Sequence, residues 1–175
     1  MKNFFLITLF SLLSFTVFAQ SNVRLGYQGV FYPHIGETFF GPNASVEANM
    51  GNHFSLNLNI GYLKDHQVIA VNSDIITRSL KFEPEIRFFP RQGLKGFFVG
   101  ARMSYSNFSS VLKQGNERVS FPTPGEDSVF GFGGVLGFQA NFTEHLMLST
   151  SVGLGVESEN GEAMPSLTIG MGYRF

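Results

Sequence analysis

The last ten residues, SLTIGMGYRF (166–175), decide the fold class because their side chains alternate with a period of two. One set is apolar or aromatic and comprises Leu167, Ile169, Met171, Tyr173 and Phe175. The other set is small or polar and comprises Ser166, Thr168, Gly170, Gly172 and Arg174. Successive side chains of a β-strand point to opposite faces. The segment therefore predicts a strand that separates an apolar environment from a polar one.

Seven earlier segments alternate in the same way. They are residues 22–32, 43–50, 54–62, 80–89, 96–106, 128–142 and 146–157. In 54–62, for example, Phe54, Leu56 and Leu58 alternate with Ser55 and Asn57. An even number of antiparallel strands, with both chain ends on one side, fits a closed barrel. The sequence therefore predicts an all-β, eight-stranded antiparallel up-and-down transmembrane β-barrel.

The predicted connections alternate in length. Residues 51–53, 90–95 and 143–145 are short, residues 33–42, 63–79 and 107–127 are longer, and 158–163 is intermediate. Short periplasmic turns and long outer loops are typical of membrane barrels. Pro84 lies inside a predicted strand, and because proline lacks the amide donor of the ladder we expect a bulge or weak pairing there.

Composition separates this fold from its main rival, a soluble lipocalin-like barrel with an inward apolar face. Charged residues make up 14% of the chain, against about 25% in soluble domains. The polar face holds too few charges for a water-exposed exterior, and the large apolar side chains would overfill a small lumen. The pattern favours the membrane barrel, and the net charge of −1 gives no argument for nucleic acid binding.

Three motifs resemble those of known proteins. The series Thr168, Gly170, Tyr173 and terminal Phe175 is similar to the assembly signal of Gram-negative outer-membrane barrels. The stretches PEIRFF (84–89) and KGFFVG (95–100) resemble outer-membrane β-barrel families, and the chain as a whole resembles the small barrels of the OmpA/OmpX-like superfamily. The resemblance implies a monomer whose partners are outer-membrane lipid, lipopolysaccharide, periplasmic chaperones and the barrel-assembly machinery.

The first nineteen residues have the form of a secretory signal peptide. Lys2 supplies a positive charge, residues 4–15 form an apolar region, and Val17-Phe18-Ala19 resembles a cleavage site. We therefore expect residues 1–19 to be removed and residues 20–175 to form one outer-membrane barrel domain. Because the chain has no cysteine, a lipoprotein anchor, disulfides and thiolate metal sites are excluded.

The predicted inner face carries nearly balanced charges. They are Arg24, Glu47, Lys81, Glu83, Glu85, Arg87, Arg102, Glu157 and Arg174. An eight-stranded barrel is just wide enough for side chains to fill it, so we expect these charges to pair and plug the lumen; a proton or ion path is the alternative. If the turn 90–95 sets the register, Glu83 lies opposite Arg102 and Glu85 opposite Gly100.

All four histidines fall in predicted connections. A lipid A deacylase on such a barrel needs a serine activated by a histidine. His66 with Ser73, or His34 with Ser110, are conceivable pairs, but no patterned carboxylate supports either; His53 and His145 lie in periplasmic turns. We therefore predict no catalytic residues, and no cofactor or metal site.

The expected function is a non-enzymatic outer-membrane barrel that acts structurally or binds partners through its outer loops. An enzyme acting on lipopolysaccharide and a narrow pore for small hydrophobic solutes are the alternatives. The loop 63–79 contains the apolar run Val68-Ile69-Ala70-Val71 and then Ile75-Ile76. Such a run indicates either strands that continue beyond the membrane or an exposed edge that a partner could contact.

Overall fold

The computed structural model describes residues 21–70, 73–114, 117–121, 128–158 and 161–175. These residues form nine β-strands: β1 Ser21–Tyr32, β2 Glu37–Asn49, β3 Phe54–Ala70, β4 Ser73–Phe88, β5 Gly96–Gln114, β6 Glu117–Phe121, β7 Ser128–Asn141, β8 Leu146–Glu157 and β9 Ala163–Arg174. The predicted signal peptide lies outside the described residues. In the part of the chain so described, no helix is both long and apolar enough to span a membrane.

The strands close into an antiparallel barrel. Each strand of the wall pairs with its sequence neighbour, β4 pairs with β5, and β1 pairs with β9 to complete the circle. β6 pairs only with β5, at residues 110–114. β7 pairs with residues 96–107 of β5 and so occupies the position next to β5 in the wall. Eight strands therefore form the wall, which confirms the predicted fold class.

The apolar face points outward. Leu25 is 69% exposed and Phe97 is 74% exposed, whereas Glu47 and Lys81 are fully buried inside. A soluble barrel would have the opposite arrangement, with its apolar side chains inside. Between the two rims, no charged side chain among the described residues lies on the outward face. The soluble rival is therefore wrong.

Several predicted loops are strands. β2 begins at Glu37, inside the predicted loop 33–42. The predicted loop 63–79 forms most of a continuous hairpin, in which Leu63 pairs with Ser79 and Ala70 with Ser73. β5 continues to Gln114 and then pairs with β6, a strand that the sequence did not predict. The structure thus agrees with the first interpretation of the apolar run, that strands continue beyond the membrane; Val71 lies outside the described residues.

The register between β4 and β5 differs by two residues from the prediction. Glu85 lies opposite Arg102, and Arg87 lies opposite Gly100. In the turn between these strands, Leu94 takes a left-handed conformation (φ 50°) and lies fully buried at the lower end of the lumen. The weak pairing that we expected at Pro84 is confirmed. Neither Glu83 nor Pro84 pairs with β5, although Phe82 and Glu85 on either side of them pair in the same register.

Candidate functional site: sealed lumen and outer sheet

Seven of the nine predicted lumen charges lie together in one polar layer. Each is at most 6% exposed, and they are Arg24, Glu47, Lys81, Glu83, Glu85, Arg87 and Arg102. The other two lie apart from this layer. Glu157 lies at the outer end of β8 and contacts His34, and Arg174 is half-buried near the periplasmic turns, where it donates to the carbonyl oxygen of Gly93 at 3.2 Å.

Glu47 is the centre of the lower half of the polar layer. Its carboxylate accepts hydrogen bonds from Arg24 at 2.8 Å and from Ser55 at 2.6 Å. Asn22 also donates to it at 3.1 Å, and Arg87 lies 3.4 Å away. Two cations and two neutral donors therefore replace the water that this carboxylate loses on burial.

Arg24 extends the network across the lumen from β1. It donates to Ser45 and to Gln139, each at 3.1 Å, and also to Asn57. Gln139 in turn donates to the carbonyl oxygen of Leu94 at 2.7 Å. One side chain thus connects the walls formed by β1, β2, β3 and β7.

Glu83 is the centre of the upper half. Its carboxylate lies 2.9 Å from the ammonium of Lys81 and 3.5 Å from the guanidinium of Arg102. Asn59 donates to it at 2.9 Å, and Gln28 donates as well. The predicted neighbours Glu83 and Arg102 therefore meet, but they meet diagonally because of the shifted register.

Glycines on β7 and β8 make room for these long side chains. A Cβ at Gly153 would lie 2.5 Å from the guanidinium carbon of Arg102, and a Cβ at Gly137 would lie 2.2 Å from the ring of Phe98. A cavity of about 30 Å³ lies in the polar layer, lined by residues that include Arg24, Glu83 and Arg102. That volume holds one or two water molecules, so the layer is a filled core.

An apolar cluster closes the outer end of the lumen; we call it the outer seal. It consists of Val30, Tyr32, Phe39, Leu63, Phe108, Val129 and Met164, all less than 6% exposed. The ring of Tyr32 packs edge-to-face against Phe39 and Phe108, with centroids 5.3 Å and 4.9 Å away. Its hydroxyl group bonds to that of Ser106 at 2.9 Å.

A second apolar cluster, the inner seal, closes the periplasmic end. It consists of Phe89, Leu94, Phe98 and Val135, each at most 3% exposed. The guanidinium of Arg87 lies over the ring of Phe98 at 4.5 Å, which joins the inner seal to the polar layer. Apolar side chains thus close both ends of the charged segment.

His34 and Glu157 form a pair that the sequence did not predict. The Nδ1 atom of His34 lies 2.8 Å from the Glu157 carboxylate, and the imidazole packs against Tyr32 and Phe108. The Nε2 atom is buried and has no hydrogen-bond partner among the described residues. His34 and Ser110 therefore do not form the catalytic pair that the sequence left conceivable. The hydroxyl group of Ser110 bonds instead to that of Thr77 at 3.0 Å.

The remaining histidines make local contacts. His66 lies on β3 and not in a loop, 3.4 Å from Asp74; the side chain of Ser73 lies outside the described residues. His53 bonds to the carbonyl oxygen of Phe89 at 2.8 Å, and His145 bonds to that of Arg174 at 3.1 Å. Within the described residues, no group of three His, Cys, Asp or Glu side chains could hold a metal ion.

Above the apolar band and the outer seal, three strands of the wall continue as what we call the outer sheet: residues 64–70 of β3, 73–78 of β4 and 109–114 of β5. At roughly 3.3 Å per residue, each extension is about 20 Å long. Its outward face carries Lys64 and His66 on β3 and Arg78 on β4. The outer sheet therefore extends beyond both the apolar band and the plug of the lumen.

Comparison with solved structures shows the same fold. The attachment invasion locus protein Ail of Yersinia pestis is 13% identical, with a TM-score of 0.61 over 90% of this chain and 99% of Ail. Ail in complex with the heparin analogue sucrose octasulfate gives 14% identity and a TM-score of 0.63 over the same shares. Neisserial surface protein A is 11% identical, with a TM-score of 0.51 over 89% of this chain and 94% of that protein.

Sequence comparison gives a family but no described role. The model of a family described as "Protein of unknown function (DUF3575)" matches residues 6–173. No curated protein matches the sequence. The likeness to the solved barrels concerns the fold, which is that of the small eight-stranded outer-membrane barrels.

Proposed function

The chain belongs to the DUF3575 family of proteins of unknown function, and we propose that it is a non-enzymatic barrel of the Gram-negative outer membrane that acts structurally or binds partners through its outer sheet. The apolar, uncharged exterior between the rims supports the membrane location. So does the fold that it shares with outer-membrane barrels.

The proposed route to this location starts at the N-terminus. Residues 1–19 direct export and are then removed, and periplasmic chaperones carry the chain to the barrel-assembly machinery. The machinery recognises the terminal strand through Thr168, Gly170, Tyr173 and Phe175. The mature protein then lies in the membrane as a monomer, among outer-membrane lipid and lipopolysaccharide.

The filled lumen is the observation that carries the proposal. A pore needs a continuous path, but here an ion-paired layer lies between the outer seal and the inner seal. A hydrolase needs a nucleophile beside its base, but the buried Nε2 of His34 has no hydroxyl within hydrogen-bonding distance among the described residues. Function is therefore left to the outward surfaces, and the outer sheet is the described part of them that extends beyond the apolar band.

The test shortens the outer sheet without touching the wall. Asp65 and Thr77 are paired across β3 and β4, so replacing residues 66–76 with Asn-Gly closes the hairpin by a tight two-residue turn. We expect the shortened protein to fractionate with outer membranes, to shift its gel mobility on boiling, and to lose any binding to host or bacterial surfaces that the intact protein confers.

The matched control alters the lumen instead of the outer sheet. The variant His34→Gln removes the imidazole above the outer seal while it leaves residues 66–76 intact. If the shortened protein kept all surface binding and His34→Gln abolished it, the outer sheet would not be the binding element. Recovery of the folded protein as a soluble monomer without detergent would contradict the membrane location itself.

A further inference from the structure

Two cations lie at the upper border of the apolar band. On the outward face, Tyr62 of β3 and Leu80 of β4 lie opposite each other and are the uppermost exposed large apolar residues of these two strands; Ile76, farther up the same face of β4, is half-buried. The next outward residues along these strands are Lys64 and Arg78. Because the described outward face between them and the periplasmic turns has no charge, Lys64 and Arg78 are the first charged residues above the apolar band on these strands.

Lys64 and Arg78 are also directly opposite each other in the β3–β4 ladder. Side chains at such positions have Cβ atoms about 5 Å apart, and like charges there repel each other. Neither cation has a carboxylate partner among the described residues, and the Nε atom of Arg78 is buried without a hydrogen-bond partner. The arrangement costs stability unless an anion lies between the two side chains.

The nearby carboxylates do not supply this anion. Asp74 lies on the same face, but its carboxylate faces His66 at 3.4 Å. Asp65 follows Lys64 directly, so strand alternation places it on the opposite face of β3. The ammonium of Lys64 lies 5.1 Å from the ring of Tyr62, which holds it just above the aromatic border. The two cations thus remain available to an external anion.

The height of the pair identifies the ligand. Arginine binds phosphate through a planar fork of donors and lysine through a compact charge. In a membrane, phosphates are concentrated at the border between the acyl chains and water, and basic side chains near this border attract anionic head groups. In the outer leaflet of the outer membrane, the phosphates at this height are those of the lipid A part of lipopolysaccharide.

We propose that Lys64 and Arg78 form a binding site for a lipid A phosphate group. The site rests on the outer-membrane location proposed above, and it assigns one surface of the barrel to its own membrane rather than to a soluble partner. Phe40, which lies opposite Lys64 on the neighbouring strand β2 and is 52% exposed, provides an apolar surface beside the site for the adjoining acyl chain.

The test measures binding of fluorescent, bisphosphorylated lipid A to the full-length mature barrel in phosphatidylcholine nanodiscs. We expect Lys64→Gln/Arg78→Gln to weaken the apparent affinity by at least about tenfold, because charge-assisted hydrogen bonds are lost. Lipid A without phosphates should bind the wild type weakly. Its affinity should equal that of bisphosphorylated lipid A for the double variant. Arg78→Lys, which keeps the charge but loses the planar fork, should be intermediate.

The matched control is Arg91→Gln/Lys95→Gln, which makes the same change of net charge in an exposed periplasmic turn. This control should bind lipid A like the wild type. Equal affinity of the wild type and the Lys64/Arg78 variant would overturn the proposal. Loss of affinity for soluble heparin with unchanged affinity for lipid A would overturn it as well, since the site would then serve a soluble polyanion.

A mobility shift on boiling checks folding of every variant before binding is measured. Failure of the wild type to enter bilayers would contradict the proposed membrane location. A wild type that folds in bilayers but binds lipid A without regard to Lys64 and Arg78 would overturn the phosphate site alone.

Discussion

The wall of the barrel and the outer sheet are built from the same strands but follow different rules. In the wall, β3 alternates buried polar residues such as Asn57 and Asn59 with outward apolar residues such as Ile60. In the outer sheet, the same strand carries Lys64 and His66 on its outward face. The strand itself does not change at this border; its surroundings do. Alternation of apolar and polar residues therefore records where the lipid is, and it ends where the outward face meets water instead of lipid.

The largest expected effect breaks the polar layer of the wall. In Glu83→Ala, the cations of Lys81 and Arg102 lose their shared carboxylate while they stay buried. Removing one partner of a buried ion pair typically costs about 3–5 kcal/mol. We expect a loss of this size in urea unfolding in lipid vesicles. Because the chain has no tryptophan, the folded fraction is followed by gel mobility without boiling.

The charge-neutral variant Glu83→Gln separates two contributions to this loss. It still accepts a hydrogen bond from Asn59 but lacks the negative charge. An alanine variant that unfolds like the wild type would mean that the buried cations reach water, which would contradict a filled lumen.

The second prediction compares the two faces of one strand. In Gly137→Ala, the new methyl group points inward and overlaps Phe98 of the inner seal, at a Cβ distance of 2.2 Å. Overpacking of this kind costs about 1–3 kcal/mol. In Gly134→Ala the methyl group points outward, where the nearest atom is 3.8 Å away. Urea unfolding should show a lower free energy of unfolding for Gly137→Ala and an unchanged one for Gly134→Ala. Equal effects would mean that Phe98 and the rest of the inner seal can move aside without a cost in stability.

The wall could be predicted from the sequence because its two environments are so different. Arg24 is charged and the next residue, Leu25, is apolar. The alternation assigned Arg24 to the inward face and Leu25 to the outward face, which is where the structure has them. The same signal placed seven of the nine lumen charges in one layer, since parity alone decides which side chains point inward.

The seals and the outer sheet could not be predicted in this way. At Val30-Phe31-Tyr32 and Phe97-Phe98, both faces are apolar, so parity gives no sign that Tyr32 and Phe98 close the lumen. In the outer sheet, both faces are mixed. The His34–Glu157 pair joins residues far apart in the chain, which only barrel closure brings together. The turn between β4 and β5 contains a buried Leu94 with a left-handed backbone, and no periodicity of the strands encodes such a turn or the register that goes with it.

The third prediction concerns the outer seal. Tyr32→Phe keeps the ring that packs against Phe39 and Phe108 but removes the hydroxyl group that bonds to Ser106. A net hydrogen bond contributes about 1 kcal/mol, and Ser106 is left buried without this partner. Urea unfolding should show a loss of about this size. Tyr62→Phe, on the outward face, is the control and should leave the free energy of unfolding unchanged. If Tyr32→Phe also left it unchanged, a water molecule would have replaced the lost hydroxyl group.

The smallest expected effect sharpens the comparison, because it removes an ion pair from the outer sheet instead of the wall. Asp74 and His66 lie 3.4 Å apart, but the His66 side chain is 57% exposed, so water solvates both groups once they separate. Exposed pairs contribute about 0–1 kcal/mol, and Asp74→Asn should change urea unfolding by less than about 0.5 kcal/mol. The residual effect should vanish at high salt, whereas the loss in Glu83→Ala should persist there because the lumen excludes salt. If Asp74→Asn destabilised the barrel as strongly as Glu83→Ala, the outer sheet would share the folding core of the wall, and the proposed division between the two regions would be wrong.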